Sequence, residues 1–253
     1  MRRWFIKLSF KGTDYAGWQI QQNAHTVQGE LDRALSIILR FPINTVGCGR
    51  TDTGVHASQF FAHFDVQGQE SLPLKESDLV RSLNGVLSKD IAIHDVFEVP
   101  VDLHARFSAL MRTYEYKIIK SKDPFLNGLV TYSHNILDLP GLNEACRVLI
   151  GKHDFTSFSR THTQVKTNNC QISEALWFED KGLTVFRITA DRFLRGMVRA
   201  IVGTCFKHPG VHDMREIIEA KDRSKAGAAA PPEGLYLTDV VYPFTVTHKS
   251  FTE

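Results

Sequence analysis

The sequence is poor in cysteine, has no long apolar run and carries little net charge. Its four cysteines, Cys48, Cys146, Cys170 and Cys205, are scattered over 253 residues with no Cys-x-x-Cys spacing. That argues against a disulfide framework or a zinc site and fits a reducing compartment. No stretch of eighteen apolar residues occurs, so no membrane-spanning helix is expected. Met1-Arg2-Arg3 leads straight into Trp4–Phe10, without the apolar core and small-residue cleavage site of a secretory signal. A cytoplasmic protein is therefore expected. The net charge is only +2, so a polyanionic partner has to be argued from a local patch. Gly47-Cys48-Gly49 opens a glycine-rich run, but no Gly-Lys-Ser/Thr follows, and a P-loop is excluded. His56 and His63 stand across a turn and a strand, a poor arrangement for metal ligands. No metal site is expected.

What is present reads as a folded α+β protein. The composition, 43% hydrophobic and 23% charged, is that of ordinary globular chains. The length suits one large domain or two of ordinary size. Trp4, Ile6, Leu8 and Phe10 alternate as a strand does. Thr26 is placed to cap a helix carrying Val27, Leu31, Ala34, Leu35 and Ile38 to about Arg40, with Pro42 stopping it. Ile43–Gly47 predicts a short strand and Gln59–Val66 the next. A loop over 68–75 leads to a helix marked by Leu79, Val80, Leu83, Val86 and Leu87. Ile91–Val99 gives a strand interrupted near Asp95. The order is β-α-β-β-α-β, the split-βαβ or ferredoxin-like pattern. The connection around His104-Ala105-Arg106-Phe107 divides the chain into halves at 1–103 and 104–253.

The second half begins the pattern again. Thr113–Ile118 predicts a strand, Leu142–Leu149 a helix, 151–169 a polar loop, and Ile172–Phe178 and Leu183–Ile188 two strands joined at Asp180-Lys181-Gly182. A long helix is predicted from about Phe193 to Phe206, another over Asp213–Lys221, and a last strand over Leu235–Tyr242. Two RRM-like halves can join edges into one extended antiparallel sheet. Helices would then cover one face and leave the other for a substrate.

Chemistry concentrates in two stretches. Between the predicted strands of the first half stands Gly49-Arg50-Thr51-Asp52-Thr53-Gly54-Val55-His56. It displays one carboxylate, Asp52, on a loop, where rigid scaffolds usually place chemistry. An ordinary hairpin loop with an Asx turn fits the same composition. In the second half Arg192, Arg195 and Arg199 recur at spacings that would line one side of a helix. From Lys181 to Lys225 there are ten Lys/Arg against five Asp/Glu. A surface so basic suits RNA, although a solvated stripe would also be arginine-rich. Tyr15 and Trp18, in the polar loop 12–19, can stack on bases or plug the edge of a core.

The octapeptide Gly-Arg-Thr-Asp-x-Gly-Val-His resembles the signature of the tRNA pseudouridine synthase A family, with Thr53 where Ala is usual. The match continues in order. The loop Tyr15-Ala-Gly17-Trp18-Gln19 is followed by His104-Ala-Arg-Phe-Ser108, then Arg112-Thr-Tyr114-Glu-Tyr116. Gly151-Lys-His-Asp154-Phe-Thr-Ser-Phe158, Phe193–Gly203 and Gly234-Leu235-Tyr-Leu237 complete it. The resemblance implies an isomerase on the pseudouridine synthase fold, acting on uridines 38 to 40 of the tRNA anticodon stem-loop without a cofactor. It implies Asp52 as catalytic carboxylate and Tyr114 against the base, with Arg50, Arg199 and Leu235 in support. Tyr15, Trp18, Arg192 and Arg195 become RNA-contact candidates. A homodimer touching one tRNA with both subunits is expected as well. Two alternatives remain. One is a non-catalytic RNA-binding protein of two RRM-like halves, for which no RNP consensus is present. The other is a pseudouridine synthase with a different RNA target.

Overall fold

The computed structural model describes residues 1–68, 72–134, 137–160, 167–208 and 210–244. Its first elements are β1 (Arg2–Phe10), α1 (Val27–Leu39), β2 (Val46–Gly47), β3 (His56–Val66), α2 (Glu76–Val86) and β4 (Ile91–Val99). Then come β5 (Met111–Ile119), β6 (Thr131–Tyr132), α3 (Leu139–Cys146), β7 (Gly151–Asp154), β8 (Asn169–Asp180) and β9 (Leu183–Ala190). The chain closes with α4 (Met197–Lys207), α5 (Val211–Ala220) and β10 (Leu235–Val241). The ten described strands make one sheet in the order β4-β1-β3-β10-β5-β9-β8-β7, with β2 beside β3 and β6 beside β5. Among the described strands only β10 with β3 and β6 with β5 are parallel. The protein is thus α+β with a mostly antiparallel sheet.

Local chemistry explains where the elements start and stop. Thr26 caps α1, its side chain accepting from the Gly29 N–H, and Arg40 ends the helix at φ 65°. The strand expected at Ile43–Gly47 shrinks to two residues because α1 takes its donors. Ile43 N–H donates to Ser36 Oγ, and Thr45 donates through N–H and Oγ1 to Asp32 Oδ1. The interruption expected in β4 is a bulge, with Lys7 opposite Asp95 and Leu8 opposite Ile93. In the stretch expected to be a polar loop over 151–169, Gly151–Asp154 pairs with β8 as β7. Residues 161–166 of that stretch, and 69–71 of the loop over 68–75, lie outside the described residues.

Alternation sorts the sheet into two faces. Trp4, Ile6 and Leu8 lie beside Phe64, Ala62 and Phe60, and share a core with Leu31, Leu35, Leu79 and Leu83 of α1 and α2. Tyr116, Phe186 and Ile188 share a second core with Met197, Val198 and Ile201 of α4. Over the first half the reverse face is not left open for a substrate. Phe5 packs there against Phe97, Tyr242 and Phe244, and the Tyr242 hydroxyl donates to the Ala105 carbonyl. Tyr114, on β5, is the residue that touches both cores.

Candidate active site

Asp52 lies just ahead of β3, on a loop whose backbone is held by a second loop. Gly12 and Gly17 permit that contact. A Cβ on Gly12 would stand 2.0 Å from the Val55 carbonyl oxygen, and one on Gly17, at φ 91°, 2.3 Å from that of Thr51. Only glycine allows so close an approach, and at Gly17 the positive φ as well. His56 completes the clamp from inside. Its Nδ1 accepts from Gly12 N–H at 3.0 Å, and its Nε2 faces the Glu233 carbonyl at 3.2 Å. That pair of contacts requires the neutral ring with the proton on Nε2, and burial depresses its pKa accordingly. His56 is a structural residue.

Two arginines meet the Asp52 carboxylate, one at each oxygen. Arg195 Nε is 3.6 Å from Oδ1 and Arg199 Nη1 is 3.6 Å from Oδ2. They differ in support. Arg199, its side chain 20% exposed, donates from Nε to the Ala230 carbonyl at 2.6 Å. Arg195 is 60% exposed. The stripe expected on a single helix is therefore drawn differently. α4 begins only at Met197, after Gly196 at φ 72°, so Arg192 and Arg195 sit in the loop before it. Arg50 is exposed and makes no ion pair among the described residues.

Tyr114 is half-buried beside this group, its ring edge-on to Phe193 at 5.1 Å. Burial pushes its phenol well above the usual range. Leu235 is buried and lies opposite Tyr116 across β10 and β5. Tyr116 itself is structural, sharing a hydrogen bond with Thr131 Oγ1 and donating to the Pro231 carbonyl. Tyr15 and Trp18 are each 2% exposed. The Trp18 ring stacks on Phe60 at 4.2 Å, and the Tyr15 hydroxyl bonds Ser88. The structure places both inside the first core, where they pack against other side chains instead of standing exposed for stacking. Their loop serves the site through its glycines.

One residue that sequence reasoning passed over ties the site together. The Arg112 guanidinium donates to the carbonyls of Cys48, Arg106, Ala109 and Asp191. Cys48 roots the Asp52 loop, Arg106 and Ala109 belong to the connection between the halves, and Asp191 precedes Arg192 and Arg195. A single planar fork thus joins three loops from distant parts of the chain. The motif Arg112-Thr-Tyr114 marked the position without revealing its partners.

Among the described residues one group of possible metal ligands occurs, His212, Asp213 and Glu216 on α5, where His212 and Glu216 are exposed. It includes none of the residues around Asp52.

An acid facing two arginines, beside a tyrosine that packs against both cores, is a charge arrangement of the kind enzymes use to stabilise developing charge. The family described as tRNA pseudouridine synthase matches residues 145–243. The chain is 50% identical to the tRNA pseudouridine synthase A of Porphyromonas gingivalis, over 96% of this chain and 98% of that protein. It is 48% identical to that of Parabacteroides distasonis and 47% identical to that of Bacteroides fragilis, in each case over 96% of this chain and 97% of the relative. The chain belongs to the tRNA pseudouridine synthase A family, which are isomerases acting on tRNA.

Proposed function

We propose that this protein converts uridine to pseudouridine at positions 38 to 40 of the tRNA anticodon stem-loop, with Asp52 as its catalytic carboxylate. The observation that carries the reading is the Asp52–Arg195–Arg199 group in a chain of this family. In the reaction the bond between N1 of uracil and C1′ of ribose breaks. The base turns, and C5 bonds to C1′. C5 gives up its proton and N1 gains one, so the atoms balance with no redox step and no cofactor. Asp52 attacks C1′ or stabilises the cationic sugar. Tyr114 covers the base and assists removal of the C5 proton. The target uridine belongs to a stem and leaves the stack to reach Asp52, at a cost of a few kcal/mol. Arg50 and Arg192 are suited to the flanking phosphates, and Leu235 supports the site from its place opposite Tyr116.

The reading includes two halves, 1–103 and 104–253, each of ferredoxin-like order. It also includes action as a homodimer in the cytoplasm. The test is incubation with unmodified tRNA transcripts and mapping of pseudouridine at nucleotide resolution. Wild type modifies the anticodon stem-loop, and Asp52→Asn abolishes the product while still binding tRNA. Product elsewhere overturns the target, and Asp52→Asn activity within tenfold of wild type overturns the residue.

A further inference from the structure

We infer that Phe107 is a stacking platform for an unpaired nucleobase of the RNA, with Arg50, Arg106 and Arg192 around it facing phosphates. This rests on the reading of the substrate as a folded RNA.

Phe107 is 75% exposed in a loop tied to the candidate active site. Exposed phenylalanine lowers solubility and stabilises nothing by itself, so its surroundings decide its meaning. The backbone beneath it is fixed. His104 Nδ1 accepts from the N–H groups of Arg106 at 3.1 Å and Phe107 at 3.3 Å. The His104 ring lies 4.4 Å from the Phe107 ring, tilted by 36°. The Phe107 ring is therefore positioned while most of it faces solvent.

Unpaired cations gather beside it. The Arg106 guanidinium stands 5.5 Å from the centre of the Phe107 ring. Burial, and then Arg50, Arg112 and Arg192, oppose the charge on Arg106. No carboxylate pairs with Arg50, Arg106 or Arg192 among the described residues, whereas Arg195 and Arg199 have Asp52. Arg112 spends its donors on carbonyls and fixes this group next to the Asp52 loop. Cations gathered without a counter-charge call for an anion. A flat apolar ring among them calls for a partner with both phosphates and π faces. An acidic peptide supplies only the first, and single-stranded RNA supplies both.

The test uses the full-length protein and tRNA transcripts carrying 2-aminopurine at successive unpaired positions of the anticodon loop. Wild type and Phe107→Trp quench the probe at one of these positions. Phe107→Ala and Phe107→Leu lose that quench and bind tRNA about 5- to 150-fold more weakly. Phe125→Ala, which alters a second exposed phenylalanine (89% exposed), behaves as wild type. Thermal melting is unchanged in all variants, because these rings are outside the cores. Equal fluorescence and affinity for wild type and Phe107→Ala at every position overturns the proposal. So does an equal loss with Phe125→Ala, or a Phe107→Ala dimer that dissociates while each protomer still binds as before. Wild-type protein that makes no pseudouridine yet shows a Phe107-dependent quench refutes the enzymatic reading and supports this one.

Discussion

Arg199 approaches Asp52 Oδ2 at 3.6 Å while its own Nε is bound to the Ala230 carbonyl. The same arginine's backbone carbonyl accepts from Ala230 N–H at 2.9 Å. It is therefore a cation whose place is set before substrate arrives, and preorganised charge is what a polar transition state needs. Arg195 reaches the other oxygen as an exposed side chain, and such pairs contribute only about 0–1 kcal/mol.

From that contrast, Arg199→Ala lowers single-turnover rate by about 10²–10³-fold with little change in tRNA affinity. Arg195→Ala lowers the rate less than tenfold at saturation, weakens binding, and reduces the salt slope of binding by about one unit. Single-turnover kinetics and affinity titrations at several salt concentrations check both. Equal effects of the two substitutions would refute the division of roles.

Arg112→Ala removes the fork that joins three loops. Each lost bond from a charged donor is worth about 1.5–3 kcal/mol, and part of this is offset by water at the exposed carbonyls. A net destabilisation of about 2–4 kcal/mol in denaturant unfolding is expected. Displacement of the Asp52 loop by an ångström would cost about 10²-fold in rate. Arg112→Lys restores little of either, since an ammonium cannot span the same four carbonyls.

The Tyr114 hydroxyl makes no hydrogen bond among the described residues, while its ring touches both cores. Tyr114→Phe is expected to keep stability and tRNA binding. Its single-turnover rate falls by about 10²–10⁴-fold if the hydroxyl moves a proton. A variant as fast as wild type assigns Tyr114 to packing alone.

His63 makes a pH-dependent contribution to stability. Its Nδ1 accepts from Ala105 N–H at 3.2 Å, and burial, with Arg3 and His104 nearby, lowers its pKa from 6.5 to about 4. Between those values the unfolded chain holds a proton that the folded protein does not. Stability is thus full above 6.5 and is lost as pH falls toward 4, by up to about 3 kcal/mol. Unfolding of wild type and His63→Asn across pH 4 to 7.5 checks the sign. The difference between them shrinks as the pH falls.

Turnover is expected to survive EDTA when monovalent salt keeps the tRNA folded. His212, Asp213 and Glu216 are the described group that a metal could use, and they lie on α5. Activity lost to EDTA and restored by zinc, with tRNA structure unchanged, would show a metal requirement.

Much of this was legible in residue order. Alternation located β1, β4 and β5, and Thr26 located the start of α1. The misreadings have identifiable causes. Apolar residues at Phe193 and Leu194 mimic helix periodicity, yet the backbone at Gly196 takes φ 72° and the helix starts after it. Ile43–Gly47 has the composition of a strand, but Ser36 and Asp32, on another element, take its donors. Tyr15 and Trp18 were open to stacking or to core packing because a polar loop surrounds them, and the cover that decides for packing comes from other segments.

The sequence by itself determined most of the elements, the acid on a glycine-flanked loop and the basic character of the second half. Periodicity, turn chemistry and charge are local, and each is carried by neighbours in the chain. The tertiary structure alone decided which cations meet Asp52, which aromatics remain exposed and which guanidinium binds the loops together. Those outcomes depend on strand register and on loops brought together from Cys48, Arg106 and Asp191. Spacing along a chain holds no information about contacts between segments that only the folded sheet makes neighbours.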